Sequence, residues 1–467
     1  MWVWFSYYGV KALLIAYMVT QMHLAEKYSY AVLGTYAALV YGLQIFGGVL
    51  ADRLLGFRKS MIWGGILMIC GHALMSLPFP HLFFAGLSFI AWGSGFFSGP
   101  DAAIIGMFYS KKDQAHKDNG FIIFYMIINT GMALGGLVCG YVGQTINWHY
   151  GFGLAGIFMV LGLINFCYGI PSSVGAPPDK QRLQQKLFFV FNREIIVYIL
   201  SVVAVLLTLF LFQHTGIMDV LVLPVTLLSF VYVIYIGFRS SNEVKYKLFA
   251  LLFVFVMYAC WLALYEQSTG ALNLFILRNV NLQVGSFTVP ALAFNNFFPS
   301  FLLVLLTPLA LATWKHFAKR NKEVRTFTKL ITGIVAMGVY FSILWLVCNH
   351  YQQSGLVPIA LMALSYLFME IGEVCIGPTM PSATFNLSPL HLVGTLMSIG
   401  ALSGALAEYL AAKIGSLMTV PSGITNPAQT ITYYSNIFGK LALLSALVAV
   451  GCTLLFPVLK KWMGDVR

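Results

Sequence analysis

Long apolar runs alternate with short polar connections along almost the whole chain. Most runs are about 20 residues long, which is the length that an α-helix needs to cross a hydrocarbon layer about 30 Å thick. Six runs precede a polar, proline-containing segment, two follow it, and six more complete the chain. The pattern predicts fourteen transmembrane helices in a 6 + 2 + 6 order. The runs cover residues about 2–22, 31–52, 60–78, 81–108, 120–145, 150–171, 192–213, 217–238, 247–277, 289–314, 328–348, 356–378, 393–418 and 436–459.

The order of these runs predicts four parts of the chain. Two six-helix bundles joined by a cytoplasmic linker suit a transporter whose halves rock around a site near the membrane midplane. The two additional helices form one hairpin, which returns the chain to the same side and is expected to brace a bundle at its lipid-facing edge. The predicted parts are an N-terminal bundle (1–171), the linker (172–191), the hairpin (192–246) and a C-terminal bundle (247–467).

Composition narrows the class of protein. Hydrophobic side chains make up 59% of the 467 residues, and charged ones only 9%. Soluble globular proteins usually contain about 25% charged residues, so the chain is predicted to be an all-α integral membrane protein. The seven cysteines fall in apolar segments or at their ends without metal-ligand spacing. We interpret them as packed thiols and expect no metal site.

The net charge of +12 is explained by the loops between the apolar runs. No helix or arm concentrates basic residues in an arrangement that would read a nucleic acid, so no such partner is expected. Placing the N-terminus in the cytoplasm puts nearly all of the 27 lysines and arginines in cytoplasmic segments, as the positive-inside rule requires. Both termini are therefore predicted to be cytoplasmic. The basic residues that fall elsewhere are Lys11, Lys27, Arg278, Lys413 and Lys440.

Several ionisable residues lie inside the apolar runs. Lys11 follows Trp2 by nine residues, or roughly 14 Å along a helix, which is close to the middle of a bilayer. A charge at that depth costs about 2.5–3.5 kcal/mol on insertion scales, so such residues normally face a cavity and serve function. A carboxyl group in a dry cavity favours its neutral form, whereas a nearby ammonium favours the charged form, and this competition can couple proton and substrate movement. The residues in question are Lys11, Asp101, Glu266, Glu370, Glu373 and Glu408.

A glycine-rich motif with charges follows the second run, from Gly47 to Lys59. Its glycines permit close helix approach, and Asp52 can cap a helix or pair with arginines such as Arg53 at a cytoplasmic gate. This segment resembles the loop signature of the major facilitator superfamily. The resemblance implies the fold and a gating role for Asp52 and Arg53, and gives no substrate.

Four further motifs resemble those of the proton-dependent oligopeptide transporters, in order and spacing along nearly the whole chain. They are FSYYG from Phe5, FYMIINTG from Phe124, WLALYEQ from Trp261 and GEVCIGP from Gly372. The predicted hairpin is similar to that of bacterial members, which implies a location in a bacterial inner membrane.

The resemblance implies a role for each matching residue. Lys11 matches a basic residue that receives the peptide carboxylate, and Glu373 matches an acid that receives the peptide ammonium. Glu266 matches a glutamate linked to proton coupling, and is our first candidate for the proton carrier. The remaining matches are Tyr7, Tyr8 and Tyr41, which line the peptide cavity, Asn129, which bonds the peptide backbone, and Trp261 and Gln267, which flank Glu266.

The chain also departs from the family pattern. When the first motif is aligned at Phe5, the glutamate and arginine positions of the family's ExxER motif hold Val3 and Trp4. The position of the family's fourth-helix lysine holds Ser98. Removing one partner of a buried ion pair costs about 3–5 kcal/mol, while replacing both can be neutral, so joint loss indicates a re-tuned site. The further departures are Gly377 for a serine, Asn295 and Asn296 in loose alignment with an asparagine, and the added Glu408.

Structural roles compete with functional ones at several positions. Lys11 could pair with Asp101 for structure alone, and Asp101 is equally a candidate partner of Lys11 within the site. Glu370 lies one helical turn from Glu373 and either joins the site or only bonds a neighbouring helix. Glu408 and Lys413 are expected to form a local pair or to lie near the outer end of their helix. His72 is interpreted as a bonded structural residue.

The resemblance therefore implies a proton-coupled symporter that imports dipeptides, tripeptides or closely related zwitterions by alternating access. The alternative is a major facilitator transporter of a non-peptide substrate that bears a carboxylate, because residues of the peptide site are missing. A transport-dead receptor is a third reading. An enzyme is not expected, since no nucleophile with a base, metal cluster or phosphate-binding loop appears. Protons, membrane lipid and a small molecule are the expected partners of a monomer without cofactors.

Overall fold

The computed structural model describes residues 1–98, 104, 107, 114–171, 173–188, 191–320, 324–389 and 392–463. By contact the chain divides into two units. Unit 1 comprises Met1–Met22 and Thr35–Met218, and unit 2 comprises His23–Gly34 and Asp219–Arg467. Asp101, a predicted site residue, lies outside the described residues.

Unit 1 is built from helices because long apolar segments in a bilayer must satisfy their backbone hydrogen bonds internally. Its second helix begins in unit 2 and ends in unit 1. Asparagine side chains accept hydrogen bonds from the first turns of two helices, at Asn147 and Asn192. The elements are α1 (Trp2–Thr20), α2 (Glu26–Leu50), a π-helical turn (Ala51–Leu55), α3 (Phe57–Met75), α4 (Pro80–Ser98), α5 (Gln114–Thr145), α6 (Trp148–Gly169), α7 (Lys180–Gln184), β1 (Lys186–Phe188), β2 (Phe191–Asn192) and α8 (Arg193–Gln213).

Unit 2 contains the remaining helices and several two-residue strands. β3 pairs with β6 in parallel, and β4 pairs with β5 in antiparallel. The elements are α9 (Gly216–Arg239), α10 (Asn242–Tyr265), a 3₁₀ turn (Glu266–Ser268), α11 (Ala271–Asn279), β3 (Val280–Asn281), β4 (Gln283–Val284), β5 (Phe287–Thr288), α12 (Ala291–Lys319), α13 (Thr326–His350), β6 (Val357–Pro358), α14 (Ile359–Ile376), α15 (Thr379–Leu387), α16 (Val393–Ser416) and α17 (Pro427–Met463).

The prediction of fourteen spans is confirmed. Among the described residues, 13 stretches are long and apolar enough to cross a membrane, and α3, with 19 residues, supplies the fourteenth. The ninth run, 247–277, was predicted as one continuous helix but is broken within the membrane segment, and the twelfth run, 356–378, is followed by a further helical segment, Thr379–Leu387. The 3₁₀ turn at Glu266 separates α10 from α11, and a turn at Gly377 and Pro378 separates α14 from α15.

Helices α3 and α4 pack closely through pairs of facing glycines. A Cβ atom added at Gly64 would lie 2.5 Å from the carbonyl oxygen of Gly93, and one added at Gly71 would lie 2.6 Å from that of Gly86. No side chain fits at that separation. Small residues of this kind let membrane helices approach each other along their backbones.

The two hairpin helices attach to different units. On α8, Glu194 forms an ion pair with Lys59 at 2.6 Å. Two tryptophan indoles of unit 1 donate hydrogen bonds to the same helix, Trp63 to Ser201 (2.9 Å) and Trp92 to Thr208 (2.8 Å). On α9, Asp219 accepts hydrogen bonds from Tyr409 (2.8 Å) and Lys413 (2.9 Å) of α16 in unit 2.

The prediction that Glu408 and Lys413 form a local pair is wrong. Lys413 pairs with Asp219 instead, while Glu408 is only 3% exposed. Residues five apart on a helix point in different directions, which explains why the two do not meet.

Candidate functional site

In unit 1, Lys11 lies in the interior of the unit beside two tyrosine rings. It is 1% exposed, and its Nζ atom lies 5.7 Å from the ring centroid of Tyr7 and 5.9 Å from that of Tyr8. Tyr7 in turn stacks on Tyr36 of α2, with ring centroids 5.9 Å apart. A cation within about 6 Å of an aromatic face is attracted by the ring quadrupole, so this environment favours a charged amine.

The other predicted residues of unit 1 lie on neighbouring helices. Asn129 is buried on α5, and Tyr41 is half-buried on α2. Trp4 extends the aromatic group along α1, with its ring 6.4 Å from Tyr7 and 6.3 Å from Tyr8. Unit 1 therefore joins Lys11, Tyr7, Tyr8 and Trp4 in one cluster.

Val3 and Trp4, the two departures on α1, line a cavity of about 340 Å³ within unit 1. Most of its other lining side chains are apolar, and they include Trp2, Phe97 and Phe124. Ser98, the third departure, is half-buried at the end of α4, next to Phe97. Apolar side chains thus surround the positions where the family pattern has charges.

Ser6, inside the first motif, forms a buried contact that the sequence left open. Its hydroxyl bonds to Nε2 of His72 on α3, and both side chains are fully buried. A Cβ atom at Gly156 on α6 would lie 2.8 Å from that of His72, so the glycine makes room for the imidazole. His72 is bonded, as expected, and it ties the motif helix α1 to α3.

The gating motif contains a local irregularity. Asp52 and Arg53 are exposed on the π-helical turn that ends α2, and this turn closes with the Gly56 N–H bonded to the Ala51 carbonyl. Further along the motif, Arg58 donates to the carbonyls of Ile170 (2.5 Å) and Cys167 (2.9 Å) at the end of α6. π-Helical turns frequently occur at functional sites.

In unit 2, Glu266 lies at the break between α10 and α11. It is 3% exposed, and its Oε2 accepts a hydrogen bond of 2.8 Å from Thr269. Gln267 donates to the carbonyls of Ala263 (2.9 Å) and Ala411 (3.0 Å), which fixes the turn against α16. The break therefore places the Glu266 carboxyl group inside a membrane span. Thr269 bonds this carboxyl group, and Gln267 holds the turn in place.

The motif from Gly372 places Glu373 on α14, close to α10. Trp261 is 1% exposed, and its indole nitrogen would lie 3.3 Å from a Cβ atom at Gly372, so the glycine lets the indole pack against α14. Glu373 is half-buried. A Cβ atom at Gly377 would lie 2.5 Å from Glu373 Oε1. The glycine that replaces the family's serine thus leaves space for this carboxyl group.

Carboxyl groups from three elements converge in unit 2. Tyr258 on α10 interacts electrostatically with Glu373, Glu266 and Glu408. Glu370, one turn before Glu373, is fully buried, and its Oε1 lies 3.3 Å from the hydroxyl of Tyr265. The membrane-buried acids predicted in this half of the chain are therefore gathered around α10 and α14.

A network of neutral polar side chains was missed by sequence reasoning. Asn295 donates to the Ser268 carbonyl and to Asn273, each at 2.6 Å, and it accepts from the hydroxyl of Tyr366. Asn296, which was predicted, also donates to Asn273, at 3.0 Å. No spacing pattern indicates Asn273, because the break at Glu266 interrupts the helix between the two residues.

Comparisons with known proteins agree in family and architecture. A model of the POT family matches residues 58–432. The dipeptide and tripeptide permease B of Edwardsiella piscicida is 26% identical, with 99% of this chain and 94% of that protein covered. Its counterpart from Aeromonas hydrophila is 27% identical, with 99% and 92% covered.

Two solved structures extend the agreement to the fold. A mutant peptide transporter POT in complex with alafosfalin is 27% identical with a TM-score of 0.83, covering 99% of this chain and 94% of that chain. A POT family transporter in complex with 5-aminolevulinic acid is 26% identical with a TM-score of 0.81, covering 98% and 94%.

Proposed function

The chain belongs to the POT family, and on that premise we propose that it is a proton-coupled symporter that imports dipeptides, tripeptides or closely related zwitterions. It is a multi-pass membrane transporter with the major facilitator fold, not an enzyme. The observation that carries the proposal is Lys11, a buried cation held between the rings of Tyr7 and Tyr8 at a family motif.

In this proposal, side chains of opposite charge bind the two ends of a zwitterion. Lys11 binds the carboxylate, and Glu373 binds the ammonium. Tyr7, Tyr8, Tyr41, Asn129, Trp261 and Gln267 line or support the site. The named relatives support a peptide substrate, since they are dipeptide and tripeptide permeases.

Glu266 is proposed as the proton carrier. It is buried in a membrane span, and the hydrogen bond that it accepts from the Thr269 hydroxyl is compatible with either protonation state of the carboxyl group. Protonation removes the charge and favours one orientation of the transporter, and loss of the proton favours the other.

The test of coupling is uptake by proteoliposomes under an imposed pH gradient. We expect Glu266→Gln to abolish gradient-driven accumulation while retaining exchange of substrate across the membrane. Glu243→Gln is the matched control, because Glu243 lies on the same helix with a 77% exposed side chain. Normal accumulation by the Glu266 variant would refute the role of Glu266.

A second candidate function keeps the fold and changes the substrate to a non-peptide carboxylate. The apolar cavity at Val3 and Trp4 favours it, because these positions lack the charges of the family pattern. Thermal-shift measurements with dipeptides, tripeptides and small carboxylates separate the two, since a ligand raises stability as ln(1 + [L]/Kd). Stabilisation by carboxylates and by none of the peptides would decide for the second function.

We also propose a bacterial inner-membrane location, cytoplasmic termini, a monomeric state and contact with membrane lipid. The distribution of basic residues supports the orientation, with Arg58 and Lys59 after α2 and Lys460 and Lys461 near the C-terminus on the same side.

A further inference from the structure

Glu370 on α14 is the most deeply buried acid of unit 2. Its exposure is 0%, and its Oε1 accepts a hydrogen bond from the Tyr265 hydroxyl at 3.3 Å. Its other oxygen, Oε2, is buried and has no hydrogen-bond partner among the described residues. Within the described part of the chain, no lysine, arginine or histidine forms an ion pair with it.

The ionisable groups around Glu370 are all acids or phenols. Tyr265 approaches from α10 and Tyr340 from α13, while Tyr366 and Glu373 lie on α14 itself. The facing side chain of α12, Asn295, is neutral and bonds to Tyr366. Nothing in this described environment balances a negative charge.

Burial of an ionised carboxylate without a counter-charge costs several kcal/mol even after relaxation. A neutral carboxylic acid that lacks one hydrogen bond costs about 1–3 kcal/mol. Burial without a counter-charge therefore favours the neutral, protonated form of Glu370.

The position of Glu370 connects it with the acids of the proposed function. Glu373 follows by three residues, one turn along α14, so the two carboxyl groups share a helix face. Tyr265, the hydroxyl donor to Glu370, directly precedes Glu266 in the chain. A phenolic hydroxyl both donates and accepts a hydrogen bond, so Tyr265 can serve either protonation state.

We propose that Glu370 is a second proton-carrying site, so that the transport of one substrate is coupled to protons at both Glu266 and Glu370. This inference rests on the proposed function. In the step itself, the Glu370 carboxylate accepts one proton from a hydronium ion when water reaches it, which gives the neutral acid and a water molecule. The acid returns that proton to water on the opposite side. No other bond forms or breaks.

The experiment is a measurement of the proton-to-substrate ratio. Proteoliposomes are loaded with a dipeptide, and the membrane voltage at which net flux reverses is recorded for the wild-type protein and for Glu370→Gln. Glutamine matches the shape and charge of the protonated acid, so the fold is preserved. We expect the ratio to fall by about one proton per substrate, with Glu243→Gln equal to wild type.

The outcomes separate the two proposals. Peptide uptake by the wild-type protein without proton movement overturns both of them. A coupled wild-type protein with an unchanged ratio in Glu370→Gln overturns only the role of Glu370.

A second variant covers the case in which Glu370→Gln does not fold. Tyr265→Phe removes the hydroxyl that donates to Glu370 and that stabilises its ionised form. The pH of half-maximal uptake should therefore rise. An unchanged pH profile in a folded Tyr265→Phe variant contradicts the proposal.

Discussion

At the scale of single residues, charge placed inside an apolar helix indicates the candidate site residues. Lys11, Glu266 and Glu370 are all 3% exposed or less, and each lies on a membrane span. Such charges are expensive in a bilayer, which is why the sequence alone could single them out. Their partners are different in kind: Tyr7 and Tyr8 flank Lys11 through ring faces, and Thr269 reaches Glu266 through one hydroxyl.

Replacement of Lys11 tests whether its charge or its bulk matters. A hydrogen bond between charged groups contributes about 1.5–3 kcal/mol, so Lys11→Ala should weaken substrate binding at least about tenfold. Lys11→Met restores the volume without the charge and should be equally weak. Substrate binding is measured by thermal shift, and substrate uptake is measured as flux into proteoliposomes. Wild-type substrate binding by the Lys11→Met variant would show that Lys11 acts through packing instead.

The neutral polar residues of unit 2 could not be predicted in the same way. Asn273, Asn295 and Tyr366 cost little on their own in an apolar segment, so their presence does not indicate a site. They meet only because α11, α12 and α14 pack together. That arrangement depends on tertiary contacts that no single segment encodes.

At the scale of elements, run length predicted the helices and could not predict their breaks. The ninth apolar run, 247–277, continues through Glu266, yet the chain turns there, because the side chains of Gln267 and Thr269 donate alternative hydrogen bonds to backbone carbonyls. Hydropathy averages over such a turn. The break therefore became visible only in the structure.

The contact between α3 and α4 gives a prediction for packing. In Gly93→Ala, the new methyl group would lie 2.6 Å from the Gly64 carbonyl oxygen and 2.7 Å from the Met68 nitrogen. The helices must separate, at a cost of about 1–3 kcal/mol. Thermal unfolding in detergent should show a clear loss of stability.

Gly42→Ala is the control for that variant. A Cβ atom at Gly42 on α2 has no neighbour within 4 Å. Alanine is favoured over glycine in a helix by about 0.5–1 kcal/mol, so this variant should be neutral or slightly stabilised. Equal losses in both variants would argue against backbone contact as the cause.

Two ion pairs of unit 2 should differ in their contribution to stability. The side chain of Glu26 is 7% exposed and forms an ion pair with Arg278. Glu26 also accepts a hydrogen bond from the Val420 N–H, and Arg278 donates one to the Tyr434 hydroxyl. Glu26→Gln leaves Arg278 without its counter-charge and should cost about 3 kcal/mol, the lower end for a buried pair because Arg278 is 27% exposed.

The exposed pair of Asp219 and Lys413 provides the comparison. Their side chains are 46% and 48% exposed, and surface pairs contribute about 0–1 kcal/mol. Asp219→Asn should therefore shift the melting temperature much less than Glu26→Gln. A larger shift for Asp219→Asn would reverse the ranking of the two pairs.

At the scale of the whole molecule, the positive-inside rule gives a topology that reporter fusions can test. Alkaline phosphatase is active only outside the cytoplasm, so a fusion after residue 25 should be active and one after residue 240 inactive. Green fluorescent protein fused after residue 467 should fluoresce. Activity of the fusion after residue 240 would invert the proposed orientation.

The hairpin helices α8 and α9 expose most of their surface. Within the window of each helix that crosses the membrane, 22% of each is buried, a share similar to those of α6 and α17 (22%) and α12 (17%). Few described side-chain bonds hold the two hairpin helices to the units. Trp63, Trp92 and Lys59 bond to α8, and Lys413 and Tyr409 bond to α9. An attachment of this kind is modular: we expect that the hairpin can be exchanged as one piece without any change to the residues proposed to bind substrate and protons.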